Sequence, residues 1–256
     1  MNKFLAILIL LLSLNLSAFS ADMRFVQVDN LYFSELKTEQ VQNIFDDINR
    51  QKDVSFVVFS GNNISKPNQK SLEKLVKLTK NIQVPCYFVL GNKDVNIQKG
   101  LGKKEYYTYL RKKLKSHKKI LSPNYTFEKN GIIFITLDGS KEVIPSAMGY
   151  YKADVLAWLD EQLSLHKDKK VVILQHFPII PPAKKESKYT YKAEEYLKVL
   201  EKHNNVKAIF CGHFNVNNEQ KIGDIIQVST QDAPNYRIID ILDYDSENPI
   251  FWSTIK

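Results

Sequence analysis

Two stretches decide the reading of this chain: Val54-Ser55-Phe56-Val57-Val58-Phe59-Ser60-Gly61-Asn62-Asn63 and Pro85-Cys86-Tyr87-Phe88-Val89-Leu90-Gly91-Asn92-Lys93-Asp94. Each is a short apolar run, rich in β-branched and aromatic residues, that stops abruptly at Gly-Asn. Such runs predict buried strands, here Phe56 to Phe59 and Cys86 to Leu90, with polar side chains collected where the strand ends. Between them Leu72, Leu75, Val76 and Leu78 recur at helical spacing, so strand, helix and strand alternate.

The alternation extends in both directions. Arg24 to Val28 reads as a strand, followed by a helix capped at Thr38 with Val41, Ile44, Phe45 and Ile48 on one face. A basic helix is expected near residues 103–116. A hairpin follows, with Tyr125 to Glu128 and Ile132 to Leu137 joined at Asn130-Gly131. Val155, Leu156, Trp158, Leu159 and Leu163 mark a helix, and Val171 to Leu174 a strand. A helix near residues 191–203 precedes the strand Val206 to Cys211, and from Lys221 onward only short strands are expected, at Ile225 to Val228, Tyr236 to Leu242 and Ile250 to Ser253.

At the N-terminus Lys3 precedes 13 apolar-rich residues, Phe4 to Leu16, and Ala18-Phe19-Ser20 supplies a small-residue cleavage pattern. Residues 1–20 are therefore read as a signal peptide, and export (periplasmic, secreted or cell-surface) is expected. The run is shorter than the roughly 20 residues of a membrane-spanning helix, so no transmembrane segment is expected after cleavage. Residues 21–256 carry no linker or repeat and suit one domain.

Lys and Arg number 36 against 28 Asp and Glu, a net charge of +8, concentrated at Arg111 to Lys119, Lys167 to Lys170 and Lys184 to Lys188. No aromatic-interleaved basic motif accompanies these runs, so no specific nucleic-acid partner is expected. Cys86 and Cys211 are expected to be unpaired. One starts a strand and the other ends one, and five residues of strand span roughly 16 Å, beyond the roughly 7 Å Cα limit of a disulfide.

Five strand-end loops gather the unusual residues: Asp29-Asn30-Leu31-Tyr32, Gly61-Asn62-Asn63, Gly91-Asn92-Lys93-Asp94, Gln175-His176-Phe177-Pro178 and Gly212-His213-Phe214-Asn215. In order and spacing they resemble the calcineurin-like metallophosphoesterases, in particular the bacterial branch similar to cyclic-nucleotide phosphodiesterases. Tyr150, the helix around Leu156-Ala157-Trp158-Leu159, and Gln227-Val228-Ser229-Thr230 with Tyr236-Arg237-Ile238 extend the resemblance over nearly the whole mature chain. It implies an α/β fold, an αββα sandwich of two mixed β-sheets flanked by helices, and a site where two divalent ions clamp a phosphate and activate a water.

Against that pattern this chain departs at most ligand positions. Asn30 stands at the first Asp, Tyr32 at its His, Asn62 at the bridging Asp, Lys93 at the catalytic His and Asn215 at the last His. Asn92, Asp94, His176 and His213 are retained. The resemblance thus implies one half-site without strong ligands (Asn30, Tyr32, Asn62, Asn215) and a weak half-site of Asn62, Asn92, His176 and His213. Without either carboxylate, the charges of two ions would stand uncompensated beside Lys93. The expectation is no resident cofactor, or at most one weakly held Zn, Mn or Fe. Lys93 and Asp94 are the candidate catalytic positions, with Asp94 expected to orient Lys93. Asp29, next to Asn30, is expected to point to the opposite face of its strand unless the strand end twists.

Three functions remain open on this reading: a catalytically degenerate pseudoenzyme that binds a phosphate-type anion through Lys93, a single-metal phosphoester hydrolase, and an extracellular interaction module acting through its basic surface.

Overall fold

The computed structural model describes residues 22–33 and 35–256; the leader assigned to residues 1–20 lies outside them. Eleven strands among the described residues form two sheets. The first has the order β11 (Ile250–Ile255), β10 (Arg237–Leu242), β1 (Met23–Val28), β2 (Val54–Phe59), β3 (Cys86–Phe88). The second has the order β4 (Tyr125–Lys129), β5 (Ile132–Leu137), β6 (Val171–Gln175), β7 (Val206–Cys211), β9 (Ile225–Ser229), β8 (Asn218–Ile222). Both are mixed: β1, β2 and β3 run parallel, as do β5, β6, β7 and β9, while β11, β10, β4 and β8 pair antiparallel.

The period of two along each strand explains why two sheets stack with helices outside. Phe134, Val172, Leu174, Ala208 and Phe210 face the first sheet, whereas Ile133, Ile135, Ile173 and Ile209 face helices α4 (Ala153–Leu165) and α5 (Ala193–Leu200). Within the first sheet Phe25 stacks on Phe56 at 5.0 Å, and across the sandwich it meets Phe134 and Phe210 edge-on at 5.7 and 5.3 Å. Each such ring, fully buried, contributes on the order of 2–3 kcal/mol. The outer face of the first sheet is covered by α1 (Thr38–Arg50), through Val41, Ile44, Phe45 and Ile48, and by α2 (Gln69–Thr79), through Leu72, Leu75 and Val76. Helix α3 (Lys103–Lys113) buries Tyr106, Tyr107 and Leu110. The architecture is the expected αββα sandwich.

Local differences from the expectations have local causes. Thr38 is the first helical residue of α1 and the cap position is Lys37, where the Gln40 side chain accepts from the cap backbone. The basic helix α3 stops at Lys113 and is followed by a short 3-10 turn at Lys115–His117. Strand β8 has no apolar pattern to announce it, since Asn218, Glu219, Gln220 and Lys221 are polar and form a sheet edge that pairs, among the described strands, with β9 alone. Asn130 and Gly131 have φ of 48° and 82°, the left-handed pair a two-residue hairpin needs. Cys86 and Cys211 are unpaired and buried, in different sheets, and burial pushes both thiols up to about 12.

Parallel strands place their C-terminal ends on one rim, and the loops leaving β1, β2, β3, β6, β7 and β9 crowd there. Below that rim the aromatic layer gives way to a polar tie between the sheets. Gln27 donates to Ser60 Oγ (3.0 Å) and to the Cys211 carbonyl (2.9 Å), and accepts from Thr230 Oγ1 (2.8 Å).

Candidate functional site

The rim brings Asn30, Asn62, Asn92, His176 and His213 together, as the sequence reading expects. Asn62, after β2, sits at the centre and is buried. Its Oδ1 accepts the Lys93 backbone N–H (2.8 Å), and its Nδ2 donates to Asn30 Oδ1 (2.9 Å) and Asn92 Oδ1 (3.3 Å). Asn30 Nδ2 in turn donates to Asp29 Oδ2 (2.6 Å), Asp232 Oδ1 (2.6 Å) and Asn215 Oδ1 (3.1 Å). The asparagine amides therefore form a relay whose donors are spent on each other and on two carboxylates. Backbone geometry assists: Asn30, Tyr32, Asn62, His213 and Asn215 all have φ between 44° and 71°. Asparagine tolerates this left-handed region better than most residues, whereas at Tyr32 and His213 it is strained.

Two imidazoles lie beside the relay. His176 Nδ1 is 2.8 Å from the Ser60 carbonyl, His176 Nε2 is 3.1 Å from His213 Nδ1, and His213 Nε2 is 2.7 Å from the Ala147 carbonyl. Carbonyls only accept, so this chain of three hydrogen bonds takes three N–H hydrogens. Two neutral imidazoles carry two. When all three bonds are made, the pair therefore holds one extra proton and a positive charge. Asp29 is placed to balance it, with Oδ1 3.5 Å from His176 Nδ1. Burial, then the neighbouring His176 and Lys188, holds His213 down to about 2.

Asp29 lies on the face the strand period gives it, yet it is not removed from the site. It does follow the inward face of β1 with Phe25 and Gln27, but that face leads directly beneath the histidines. Its fully buried carboxylate accepts from Ser60 Oγ (2.8 Å), Asn30 Nδ2 and the His213 N–H (3.1 Å). Burial raises its pKa. Gly212 is obligatory above it, because a Cβ there would fall 1.9 Å from the carboxylate carbon.

Asp94 corrects the expectation drawn for it. It does not orient Lys93. Its fully buried carboxylate points inward and accepts from Gly91 N (2.8 Å), Ile64 N (3.0 Å) and Asn63 Nδ2 (3.1 Å), pinning the two Gly-Asn loops together. Burial pushes it up to about 7. Lys93 is exposed instead, with its Nζ 4.3 Å from the centre of the Tyr32 ring.

Two rim residues are not among the site candidates that the sequence singles out. Asp232 follows β9 and bridges to Asp29 through the backbone; burial raises its carboxyl to about 6. Lys188, half-buried, donates to the His213 carbonyl, and burial lowers its pKa. Both reach the site from loops far along the chain, Lys188 from a basic run and Asp232 from the loop that follows Ser229-Thr230.

The donors present do not fit a pair of divalent ions. At the bridging position an amide NH2 points where a carboxylate oxygen is needed, and its one oxygen is engaged by Lys93 N. Among the described residues no three or more His, Cys, Asp or Glu side chains are grouped to hold a metal ion. The remaining half-site consists of His176 Nε2, His213 Nδ1 and Asn92 Oδ1, none of which brings a negative charge. The two nitrogens face each other at a separation that two ligands of one ion, each about 2.1 Å from it, would also have.

The two-sheet sandwich with its polar residues on the strand-end rim is the arrangement expected of a phosphoesterase fold, and comparison with known proteins places the chain in that class. Residues 37–217 match the calcineurin-like phosphoesterase family, and the chain belongs to that family. The matched stretch begins after Asn30 and Tyr32. The fold is similar to that of a dimetal phosphatase from Danio rerio (14% identity, TM-score 0.67, covering 91% of this chain and 99% of that one). It is also similar to purple acid phosphatase PPD1 from yellow lupin, Lupinus luteus (13%, TM-score 0.63, 91% and 53%), and to GAP50, the anchor in the inner membrane complex of Plasmodium (15%, TM-score 0.59, 91% and 87%). At these identities the likeness is one of fold. No curated protein matches the chain. Among the described residues no helix is long and apolar enough to cross a membrane.

Proposed function

We propose that this protein is a phosphoesterase-fold binding module that does not turn over phosphoesters, acts outside the cytoplasm, and holds a phosphate-type anion at the rim without metal. The observation that carries the reading is the side chain of Asn62. Its amide is locked by Lys93 N, Asn30 and Asn92, so the position from which a family member bridges two ions carries no charge and turns an NH2 towards Asn30 and Asn92. Without the ions there is neither an activated water nor an electrophile for the phosphoryl oxygens. Lys93, with its ammonium above Tyr32, and Lys188 and Lys185 behind it supply the attraction for an anion. The same fold serves in GAP50 as an anchor, so a binding role is compatible with it.

The facing nitrogens of His176 and His213 favour a second reading, a hydrolase using one weakly held Zn, Mn or Fe. An interaction module working through the basic runs gains less support. Lys167 to Lys170 precede β6, at the opposite end of the sheet from the rim, and there Lys169 pairs with Glu128 while Lys170 lies over Tyr244.

Elemental analysis of protein purified without chelator, with turnover assays on phosphomonoesters, phosphodiesters and cyclic nucleotides in Mn and Zn, decides between the first two. The expected result is substoichiometric metal and no turnover. Stoichiometric metal with hydrolysis abolished by His176→Ala would establish the single-ion enzyme instead. Export is tested by the N-terminal sequence of the protein in cell fractions, expected to begin near residue 21.

A further inference from the structure

Beside Lys93 the rim opens into a cavity of about 300 Å³, lined by Ser65, Asn92, Lys93, Asn96, Lys99 and Ser146 among others. Two lysines and several small polar residues line a space that can hold one phosphate with room to spare. Among the described residues neither Lys93 nor Lys99 enters an ion pair, so their charge is available to a ligand.

The lip of this cavity is of the opposite character. Ile97, Val143 and Ile144 are 51%, 59% and 75% exposed, and Pro145 and Ala147 beside them are exposed as well. These residues come from two separate loops that are fastened together. The Ile97 N–H donates to the Glu142 carbonyl (2.9 Å), and the Glu142 carboxylate accepts the Lys103 N–H (2.6 Å). The two loops that carry these side chains are thus held together on the surface beside the cavity, whose lining includes their chain neighbours Asn96 and Pro145. Single exposed apolar residues need no explanation, but a fixed group of them bordering a charged pocket does. A purely ionic ligand would leave the lip unused, and a purely apolar one would leave both lysines unused.

We infer that the rim binds an amphiphilic anion: an alkyl phosphate with its head between Lys93 and Lys99 and its chain across Ile97, Val143 and Ile144. The inference rests on the anion-binding reading above and adds the alkyl chain as the feature that confers selectivity. The head is satisfied by ammonium and hydroxyl donors, and the chain is removed from water on the lip.

Calorimetric titration of the full-length protein tests it, using inorganic phosphate, dodecyl phosphate below its micelle concentration, and dodecyl maltoside as the uncharged control. Dodecyl phosphate is expected to bind at least tenfold more tightly than inorganic phosphate, and the maltoside not measurably. A triple variant Ile97→Ser, Val143→Ser, Ile144→Ser is expected to bring dodecyl phosphate down to the level of inorganic phosphate, with inorganic phosphate unaltered. These positions are more than half exposed, so the variant keeps its fold. Lys93→Ala with Lys99→Ala is expected to weaken both anions. If inorganic phosphate binds and dodecyl phosphate binds no better, the alkyl inference is overturned and the anion reading stands. Binding of the maltoside as tight as that of dodecyl phosphate marks the lip as a general apolar contact surface and also overturns it. If neither anion binds, the anion reading itself fails.

Discussion

Replacing Asn62 with Asp restores the carboxylate that bridges ions in the family, and its consequences can be worked out bond by bond. The new side chain loses both amide hydrogens. Asn30 Oδ1 and Asn92 Oδ1, now 2.9 and 3.3 Å from an N–H donor, would face a carboxylate oxygen instead. Asn92 can relieve its contact by turning its amide to present Nδ2. Asn30 cannot, because its Nδ2 is already committed to Asp29 and Asp232. One hydrogen bond is therefore lost outright and a buried charge is left with the Lys93 N–H as its main donor. The cost is roughly 2 kcal/mol, which for a chain of this size lowers Tm by about 4–8 °C. A divalent ion reverses the balance, since the introduced carboxylate would join His176, His213 and Asn92 as the one charged donor. Free Zn at about 100 times its Kd returns roughly 2.7 kcal/mol. The assay is thermal unfolding of both proteins with chelator and across a Zn or Mn titration. The Asn62→Asp variant is expected to melt lower in chelator and to recover with metal, while the parent hardly responds. If the parent's Tm rises with metal as much as the variant's, the parent already holds an ion and the reasoning about Asn62 is wrong.

Asp94 predicts a pH dependence. Its folded-state pKa of about 7 lies above the unfolded 3.8, so the folded state retains this proton more tightly. Its contribution to stability is full below about pH 4 and is lost as pH rises towards 7, by up to roughly 4 kcal/mol. Urea unfolding of the parent and Asp94→Asn at pH 4, 5.5 and 7.5 should show the parent's relative advantage shrinking with pH; parallel profiles would refute the assignment. Gly212→Ala drives a methyl into the Asp29 carboxylate, which three donors hold in place, and is expected to cost about 3 kcal/mol in urea unfolding. Stability equal to the parent's would show that Asp29 has room to move.

Strand–helix alternation, the Asn130-Gly131 hairpin and the five strand-end loops are local patterns, set by side-chain period and turn chemistry, and they identify the fold and the rim from residue order alone. The substitutions at Asn30, Tyr32, Asn62, Lys93 and Asn215 are visible in the same way. What those residues do once assembled is not, because each has its partners on other strands. The period of two correctly turns Asp29 inward, but only the stacking of the second sheet places His176 and His213 over it. Asp94 belongs to the same motif as Lys93, yet its burial against Gly91, Ile64 and Asn63 makes it a clasp between loops. Asp232 and the apolar lip at Ile97, Val143 and Ile144 carry no motif at all. They matter because loops distant in sequence meet at one rim, and long-range contacts of that kind are decided by the packing of the whole sandwich.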